Sequence, residues 1–322
     1  MEGTTQKNLV KRRGIVFLYG FEWCNPNGDP SFENEPRIYE GRVYVTDVFL
    51  KRRIRDYIDS LSKNKDKSKS KDKRKDKGYV IFVKEDLKED GTRKTPEERV
   101  KEILGKNADN IKDLESLLEK CWDLRVFGCM IPLPQKESQK GTSFKRIGPV
   151  QVSFGISLNN IESFDVTITN VMASKEEKAT GGSIGRKYVV PVAIVEHYIF
   201  INDRAAVETQ MTEDDYELFL EALKNLKLSP SASTSSKNIT PLLILEVIFD
   251  DDKYVNPFGL INVKERRSPP ISIRDFEIDT LNLFNKINTL LQNKIINSYT
   301  LYVKEEFVDI FKLPEGIDSK KF

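Results

Sequence analysis

Residues 14–21, GIVFLYGF, form a short and nearly continuous apolar run with glycine near both ends. Such a run is typical of a strand that is buried on both faces of a sheet. Residues 24–30, CNPNGDP, follow it, and their Asn, Pro, Gly and Asp each favour a tight turn. Thr46 to Ile58 then predict a helix with Thr46 as N-cap and Leu50, Ile54 and Ile58 on one apolar stripe. The chain therefore opens with strand, ordered turn and helix.

The rest of the chain continues this mixed pattern. Val150 to Leu158 alternates between apolar residues and Gln, Ser or Gly, which predicts one strand with a small polar face. Tyr188 to Ile201 predicts a strand whose Pro191 favours an edge position or a bulge. A helix capped by Thr212 and a buried strand over Leu242 to Phe249 follow. This order predicts an α+β fold and is compatible with a β-α-β-β-α-β core, ferredoxin-like or RRM-like, that carries insertions.

Composition excludes several classes of protein. The 322 residues are 39% hydrophobic and 32% charged, which fits one large or two ordinary globular domains. No apolar run reaches the roughly 18 residues of a membrane span, and the first residues are polar and basic, so we expect a cytoplasmic protein without membrane contact. Three cysteines without a C-x-x-C pair argue against disulfides and structural zinc. We expect no cofactor and no bound metal.

A basic tract lies between Lys63 and Lys77. It contains nine basic and three acidic residues, whereas the other 307 residues carry 43 basic and 47 acidic ones. A segment made only of Lys, Arg, Asp, Ser and Asn has nothing to bury, so we expect a disordered loop. Two interpretations stay open: a solvated linker, or a flexible arm that adds affinity for phosphates.

Three further basic clusters stand beside Gly-rich, Asn-rich or aromatic residues. They are Lys51, Arg52, Arg53 and Arg55 on the predicted helix, Lys145 and Arg146 before the polar-faced strand, and Arg186 and Lys187 after a Gly-rich segment. Each cluster alone is more often a solvated surface than a site. Together with Phe144 and Phe154 they favour a single-stranded nucleic acid as ligand, because phosphates need cations and bases need flat surfaces.

Acidic residues leave an enzymatic alternative open. Asp29, Asp47, Asp123 and residues 250–252 could supply carboxylates for metal-dependent phosphodiester cleavage. The simpler interpretation makes Asp29 a turn former, Asp47 a partner of the helix dipole and residues 250–252 an exposed hairpin end. His197 lies in a predicted strand, and we expect it to be a packed or interface residue rather than a base.

Five segments resemble, in order, the crRNA-binding backbone subunit of type I CRISPR Cascade complexes. This subunit is the Cas7 family of the RAMP superfamily, and the likeness is to its type I-B and I-C branches (Csh2-like and Csd2-like proteins). The segments span most of residues 14–205: Asn25–Pro30, Val45–Tyr57, Arg125–Gly128, Gly148–Leu158 and Gly185–Pro191. Beyond residue 205 the chain is compatible with the family without a specific match.

The resemblance implies an architecture. It implies an RRM-like palm from residues 1–59 and 146–322, a helical fingers-like insertion over 60–145 with the disordered loop 63–77, and a thumb hairpin over 170–187. It also implies a non-catalytic subunit that oligomerises along CRISPR RNA. Its partners would be that RNA, the target DNA strand paired to the guide, sibling copies and other Cascade subunits.

The same resemblance assigns RNA contacts to individual positions. The turn and the basic helix would hold the RNA backbone, the polar-faced strand would lie along its path, and the thumb would displace a nucleotide. With the basic clusters, the expected RNA-binding residues are Asn25, Asn27, Gly28, Lys51, Arg52, Arg53, Arg55, Lys145, Arg146, Gln151, Ser153, Phe154, Met172, Arg186 and Lys187. The alternative is a metal-dependent endoribonuclease of the same superfamily that cuts RNA through Asp29.

Overall fold

A computed structural model describes residues 10–64, 79–108, 110–132, 143–169, 184–231 and 237–322. Its strands are β1 (Arg13–Cys24), β2 (Ile38–Tyr39), β3 (Arg42–Val45), β4 (Gly128–Pro132), β5 (Ser143–Ile147), β6 (Val150–Val152), β7 (Gly155–Ser157), β8 (Phe164–Thr169), β9 (Ile184–Ile201), β10 (Thr240–Phe249), β11 (Asn262–Glu265), β12 (Phe276–Asp279), β13 (Ile296–Val303), β14 (Phe311–Lys312) and β15 (Lys320–Lys321). Its α-helices are α1 (Asp47–Asn64), α2 (Pro96–Leu104), α3 (Ile111–Lys120), α4 (Trp122–Phe127), α5 (Asp203–Thr209), α6 (Glu213–Lys224) and α7 (Leu281–Gln292). No helix among these residues is long and apolar enough to cross a membrane.

The main sheet has the strand order β15-β13-β10-β1-β9-β7-β3-β2, with β6 and β8 also paired to β9. β1 runs antiparallel to both β10 and β9, so it lies at the centre, as its apolar sequence predicts. Helix α1 follows β1, and α6 lies between β9 and β10 in the chain. The α+β class expected from the sequence is confirmed, and the order β10-β1-β9-β7 is the one in which a β-α-β-β-α-β unit arranges its strands.

Each face of this sheet packs against its own layer. On one face, Phe17 and Ile199 share a core with Leu50 of α1 and Phe219 of α6. On the other face, Leu18 and Ile194 pack with Phe284 of α7 and with the C-terminal strands. The C-terminal third of the chain therefore covers the sheet face that helices α1 and α6 leave free.

Residues 79–147 add a small third core. Its buried side chains come from α2, α3 and the β4–β5 hairpin, among them Val100, Leu117 and Phe144. Thr95 forms a capping box at the start of α2, and Asn110 caps α3. Helix α4 joins this unit to the main core, because Trp122 packs in the α1 layer. The domain boundaries proposed from the sequence stay predictions, and of the tract Lys63–Lys77 only the first two residues are described, at the end of α1.

Two strands differ from the expectation. Strand β9 is central rather than an edge strand, because β1 pairs along one side while β6, β7 and β8 pair along the other. Pro191 lies where β9 passes from pairing with β8 to pairing with β7, and it is not itself paired with a residue of β1, β7 or β8. The predicted strand Val150–Leu158 is broken into β6 and β7 at Ser153 and Phe154.

Candidate nucleic-acid interface

The turn after β1 is held by its own side chains. Asn25 Nδ2 donates to the Asn34 carbonyl at 2.6 Å, and the Asp29 carbonyl accepts from the Asn34 amide at 2.8 Å. Gly28 lies so close to the Asn34 carbonyl that a Cβ there would clash with the backbone. The loop is therefore a rigid structure, and Gly28 is required by packing inside it.

Asp29 acts as a turn former in this loop. Its Oδ2 accepts from Arg37 Nη1 at 2.6 Å, and its Oδ1 accepts from the Ser31 amide at 3.0 Å. Both carboxylate oxygens are thus already engaged. In the described part of the chain no group of three or more His, Cys, Asp or Glu residues is arranged to hold a metal ion.

The loop contacts two of the other predicted elements. Thr46 Oγ1, just before α1, donates to Asn27 Oδ1 at 3.3 Å. On the other side, Tyr188 Oη of β9 donates to Glu35 Oε1 at 2.9 Å. The loop therefore lies between the start of the basic helix and the root of the predicted thumb.

The four cations of α1 have different environments. Lys51 pairs with Asp47 at 2.9 Å, and Arg52 pairs with Asp56 at 2.8 Å, both within the helix. Arg55 pairs with the fully buried Asp123 at 3.0 Å. Arg52 keeps 45% of its side chain exposed, against 19% for Lys51 and 12% for Arg55.

Arg53 is a structural residue, and its expected RNA contact is corrected. Only 1% of the residue is exposed, and its Nη2 donates to the Leu226 carbonyl at 3.1 Å. Burial lowers the pKa of its guanidinium from the ordinary value, with Asp56 opposing that shift. It lies across the apolar stripe from Lys51 and Arg55, so the helix directs it into the protein.

A groove of about 450 Å³ brings two of the predicted clusters together. Lys51 of α1 lines one side, and Lys145 and Arg146 of β5 line another, with Gln151 of β6 beside them. Lys145 and Gln151 are exposed. Arg146 stacks over Phe144 at 4.5 Å and pairs with Glu115 at 3.0 Å. The groove is basic, open and lined by backbone near Gly148.

Phe127, at the end of α4, forms part of the groove wall. Lys51 lies 5.9 Å and Arg55 4.8 Å from the centroid of its ring, so cation–π contacts hold both cations over it. Phe127 belongs to the matched segment Arg125–Gly128 but is not one of the residues expected to bind RNA. Cys129 also lines the groove, and burial raises the pKa of its thiol to about 11, so it is not a nucleophile at neutral pH.

The residues of Val150–Leu158 that are expected to contact RNA differ in their environments. Ser153 Oγ accepts from the Tyr198 amide at 2.9 Å and donates to the Phe154 carbonyl at 2.8 Å, so its hydroxyl serves the backbone. Phe154 is 53% exposed. His197 is fully buried beneath this segment, as expected for a packed residue, and burial lowers its pKa to about 4.

The third cluster lies on the stem of the predicted thumb. Arg186 and Lys187 are paired with Thr167 and Val166, in an antiparallel hairpin that begins at Thr169 and Ile184. Arg186 is exposed and Lys187 is half-buried. Met172 lies outside the described residues. The hydrogen bond from Tyr188 to Glu35 links this stem to the turn after β1, which in turn contacts Thr46 at the start of α1.

Comparison with known proteins agrees with the resemblance found in the sequence. The family model described as CRISPR-associated protein Cas7 matches residues 11–281. A "CRISPR-associated protein Cas7" from Haloferax volcanii is 27% identical over 280 residues, which cover 80% of this chain and 75% of that protein. A chain described as "CRISPR RNA-guided surveillance complex, pre-nicking" has the same fold, with a TM-score of 0.53 at 13% identity over 97% of this chain and 96% of that one. Because the family match covers well over half of the sequence, the chain belongs to the Cas7 family of CRISPR-associated proteins.

Proposed function

We propose that this chain is a non-catalytic backbone subunit that oligomerises along CRISPR RNA in a surveillance complex and presents the spacer for pairing with target DNA. Membership of the Cas7 family supports the proposal, as does a fold shared with a chain of an RNA-guided surveillance complex. Its partners would be CRISPR RNA, the paired target DNA strand, sibling copies and other subunits of the complex. The type I-B or I-C branch and the cytoplasmic location stay predictions.

The observation that carries the proposal is the basic groove between α1, β5 and β6. Lys51, Lys145 and Arg146 converge on one open depression, together with exposed polar Gln151. Convergent cations along a groove are what a phosphate backbone requires. The proposed RNA contacts are Asn25, Asn27, Gly28, Lys51, Arg52, Arg55, Lys145, Arg146, Gln151, Ser153, Phe154, Met172, Arg186 and Lys187.

The absence of catalysis is also part of the proposal. The carboxylate of Asp29 is held by Arg37 at 2.6 Å and by the Ser31 amide, which suits a structural role better than metal binding. A catalytic carboxylate in a two-metal site needs free oxygen atoms and neighbouring carboxylates. Both carboxylate oxygens of Asp29 are engaged, and within the described ranges no group of three or more His, Cys, Asp or Glu residues is arranged to hold a metal ion.

The first test measures binding of single-stranded RNA as a function of salt. If about six phosphates are contacted, the affinity should fall roughly 300-fold between 50 and 200 mM salt, because each neutralised phosphate releases counterion. Two RNAs of unrelated sequence should show the same dependence, since the proposed contacts reach the backbone rather than base edges. Salt-independent binding to one defined sequence would contradict the proposal.

A second test addresses the endoribonuclease alternative. RNA complementary to the guide should stay intact when it is incubated with the guide-loaded complex and Mg²⁺. The matched variant is Asp29→Asn, which has nearly the same shape and keeps one acceptor oxygen, for either Arg37 or the Ser31 amide, but has no negative charge for a metal ion. Cleavage by the original protein that disappears in Asp29→Asn would establish the enzyme instead.

A further inference from the structure

One edge of the main sheet leaves part of its second face uncovered. Ile156 of β7 pairs with Glu196 of β9 and with Tyr44 of β3, so all three side chains project from the same face. Over β1, β9 and β10 this face is covered by the C-terminal layer. At the edge it is open, and Ile156 is 37% exposed.

Two aromatic rings lie side by side at this open edge. The rings of Tyr44 and Phe154 are parallel within 7°, with centroids 6.3 Å apart, and Phe154 is 53% exposed. Arg42 lies two residues before Tyr44 on β3, hence on the same face, and it is exposed. Parallel aromatic faces beside a cation suit a nucleotide, since the base can stack while the guanidinium contacts a phosphate.

The backbone beneath Phe154 is fixed before any ligand binds. The Ser153 amide donates to the Tyr198 carbonyl at 2.8 Å, and the Ser153 carbonyl accepts from His197 Nδ1 at 2.9 Å. Gly155 leaves space for the His197 ring, because a Cβ there would clash with Nε2. A ring held on a rigid backbone loses little conformational entropy when a base stacks on it.

The aromatic pair is adjacent to the basic groove along the chain. Gln151 lines the groove, and Phe154 follows three residues later, which corresponds to a distance on the order of 10 Å in extended backbone. An RNA strand with its phosphates in the groove could therefore place a base against the rings. Tyr39 of β2 pairs with Arg42 on the same face and is 71% exposed, so the open edge carries aromatic rings, one isoleucine and a cation, which suits a base and its phosphate.

We propose that Tyr44 and Phe154 form a stacking site for one nucleobase of the bound RNA. This inference rests on the proposed function, because it requires RNA in the adjacent groove. Tyr44 is thereby assigned as an RNA-contacting residue in addition to the basic clusters. The site should accept any base, since every base offers a π-face to the rings.

The test compares the full chain with Phe154→Ala and Tyr44→Ala in titrations of single-stranded RNA that contains 2-aminopurine. Each alanine variant should bind about 5- to 150-fold more weakly, the range observed when an aromatic stacking partner is removed. It should also lose 2-aminopurine quenching and leave the salt dependence unchanged. Phe154→Tyr and Tyr44→Phe, which keep the rings, should bind like the original chain. Tyr254→Ala removes a similarly exposed ring, which contacts Phe200 instead, and should bind normally.

A ribose-phosphate oligomer of equal length that lacks bases separates stacking from other effects. The alanine variants and the original chain should bind this oligomer equally. An equal loss on both ligands, or no loss on either, would overturn the stacking site. Reduced self-association with unchanged RNA affinity would also overturn it, in favour of a contact between copies. If the original chain binds no RNA at all, the proposed function fails as well. If it binds RNA in a salt-dependent way and the alanine variants bind as tightly as it does, only the stacking site is refuted.

Discussion

His197 and Glu196 are adjacent on β9 and project from opposite faces of the sheet. His197 donates from Nδ1 to the Ser153 carbonyl, so its Nε2 is the acceptor for Tyr19 Oη at 3.3 Å and the ring is neutral. Glu196 accepts from the Gly259 amide at 3.3 Å, and no cation in the described part of the chain pairs with it. Burial lowers the pKa of His197 from 6.5 to about 4 and raises the pKa of Glu196 from 4.5 to about 7.

These two shifts have opposite effects on stability. The unfolded chain binds more protons at His197, so that contribution is full above pH 6.5 and is lost as the pH falls towards 4. The folded chain binds more protons at Glu196, so that contribution is full below pH 4.5 and is lost as the pH rises towards 7. Between pH 5 and 7 the two contributions nearly cancel.

In the Glu196→Gln variant, the effect of His197 protonation on the free energy of unfolding should therefore become measurable. We expect the free energy of unfolding of this variant to fall by about 2 kcal/mol more than that of the original chain between pH 7 and pH 5. Urea denaturation of both proteins at pH 5, 6 and 7 measures the difference, and contributions from other carboxylates cancel in the comparison. Identical pH profiles would show that Glu196 does not carry a raised pKa.

At the scale of single residues, the sequence predicts types of site better than individual contacts. Lys145 and Gln151 line the basic groove; the basic cluster before the strand had pointed to Lys145, and the family resemblance had pointed to Gln151. Arg53 was wrongly grouped with its neighbours because the residue that buries it, Leu226, is 173 positions away. The open position of Tyr44 depends on a strand pairing with Ile156 that no local pattern reveals.

At the scale of elements, helix α1 combines packing with charge. Leu50 and Ile54 anchor it in the core, while Lys51 and Arg52 keep their charges within reach of solvent. Arg55 differs, because Asp123 is fully buried and also accepts from the Phe82 and Val83 amides. The helix therefore contains two cations that remain open to the proposed RNA contact and one that ties α1 to the segment around Asp123.

Replacing Lys51 and Arg52 together by Ala should weaken RNA binding with little effect on the fold. Exposed ion pairs within a helix contribute under about 1 kcal/mol, so the free energy of unfolding should change by no more than that. The slope of log affinity against log salt should decrease by about 1.4, or about 0.7 for each lost phosphate contact. Binding titrations at several salt concentrations, with denaturation curves, measure both quantities.

Two comparison variants make this prediction specific. Lys264→Ala with Lys286→Ala removes the same charge from the C-terminal layer and should leave the salt slope unchanged. Arg55→Ala should instead destabilise the protein by on the order of 2–3 kcal/mol, because it leaves Asp123 buried without its cation. If the double variant keeps both its fold and the slope of log affinity against log salt, Lys51 and Arg52 belong to an ordinary solvated surface and do not contact RNA.

Elements were predicted correctly where they depend on residues that are close together in the sequence. The helix cap predicted at Thr212 depends on Asp215, only three positions away, and it is present. The break between β6 and β7 depends on His197, which is distant in sequence and requires Gly155 beside it. Likewise, β9 is central despite Pro191 because three separate strands, β6, β7 and β8, share the side opposite β1.

At the scale of the molecule, the described residues form three hydrophobic cores with different structural roles. The two faces of the sheet are each covered by their own layer, and the third core supports the β4–β5 hairpin beside the groove. The β8–β9 hairpin is different, since Phe164, Val166 and Ile168 on β8 are all substantially exposed. This stem contributes little to the cores, which fits a role in contacts outside the subunit.

Residues 170–183 are the part of the predicted thumb, residues 170–187, that precedes β9. Thr169 and Ile184 are directly paired across the hairpin, so an Asn-Gly turn can join them in place of the segment. Stability should change by less than about 1 kcal/mol, because no described core residue is removed. If the thumb contacts the next copy on the RNA, the shortened chain should fold and bind RNA but form no ordered multimers.

Size-exclusion chromatography with light scattering, on RNAs of increasing length, measures this assembly. The matched control replaces residues 133–142 by the same Asn-Gly turn, since Pro132 and Ser143 are likewise paired at the end of their hairpin. The control should still form oligomers whose mass increases with RNA length, because the contact between copies is assigned to the thumb. Length-dependent oligomers of the protein without residues 170–183 would refute the thumb assignment, and loss of assembly in both variants would show that the effect is not specific to it.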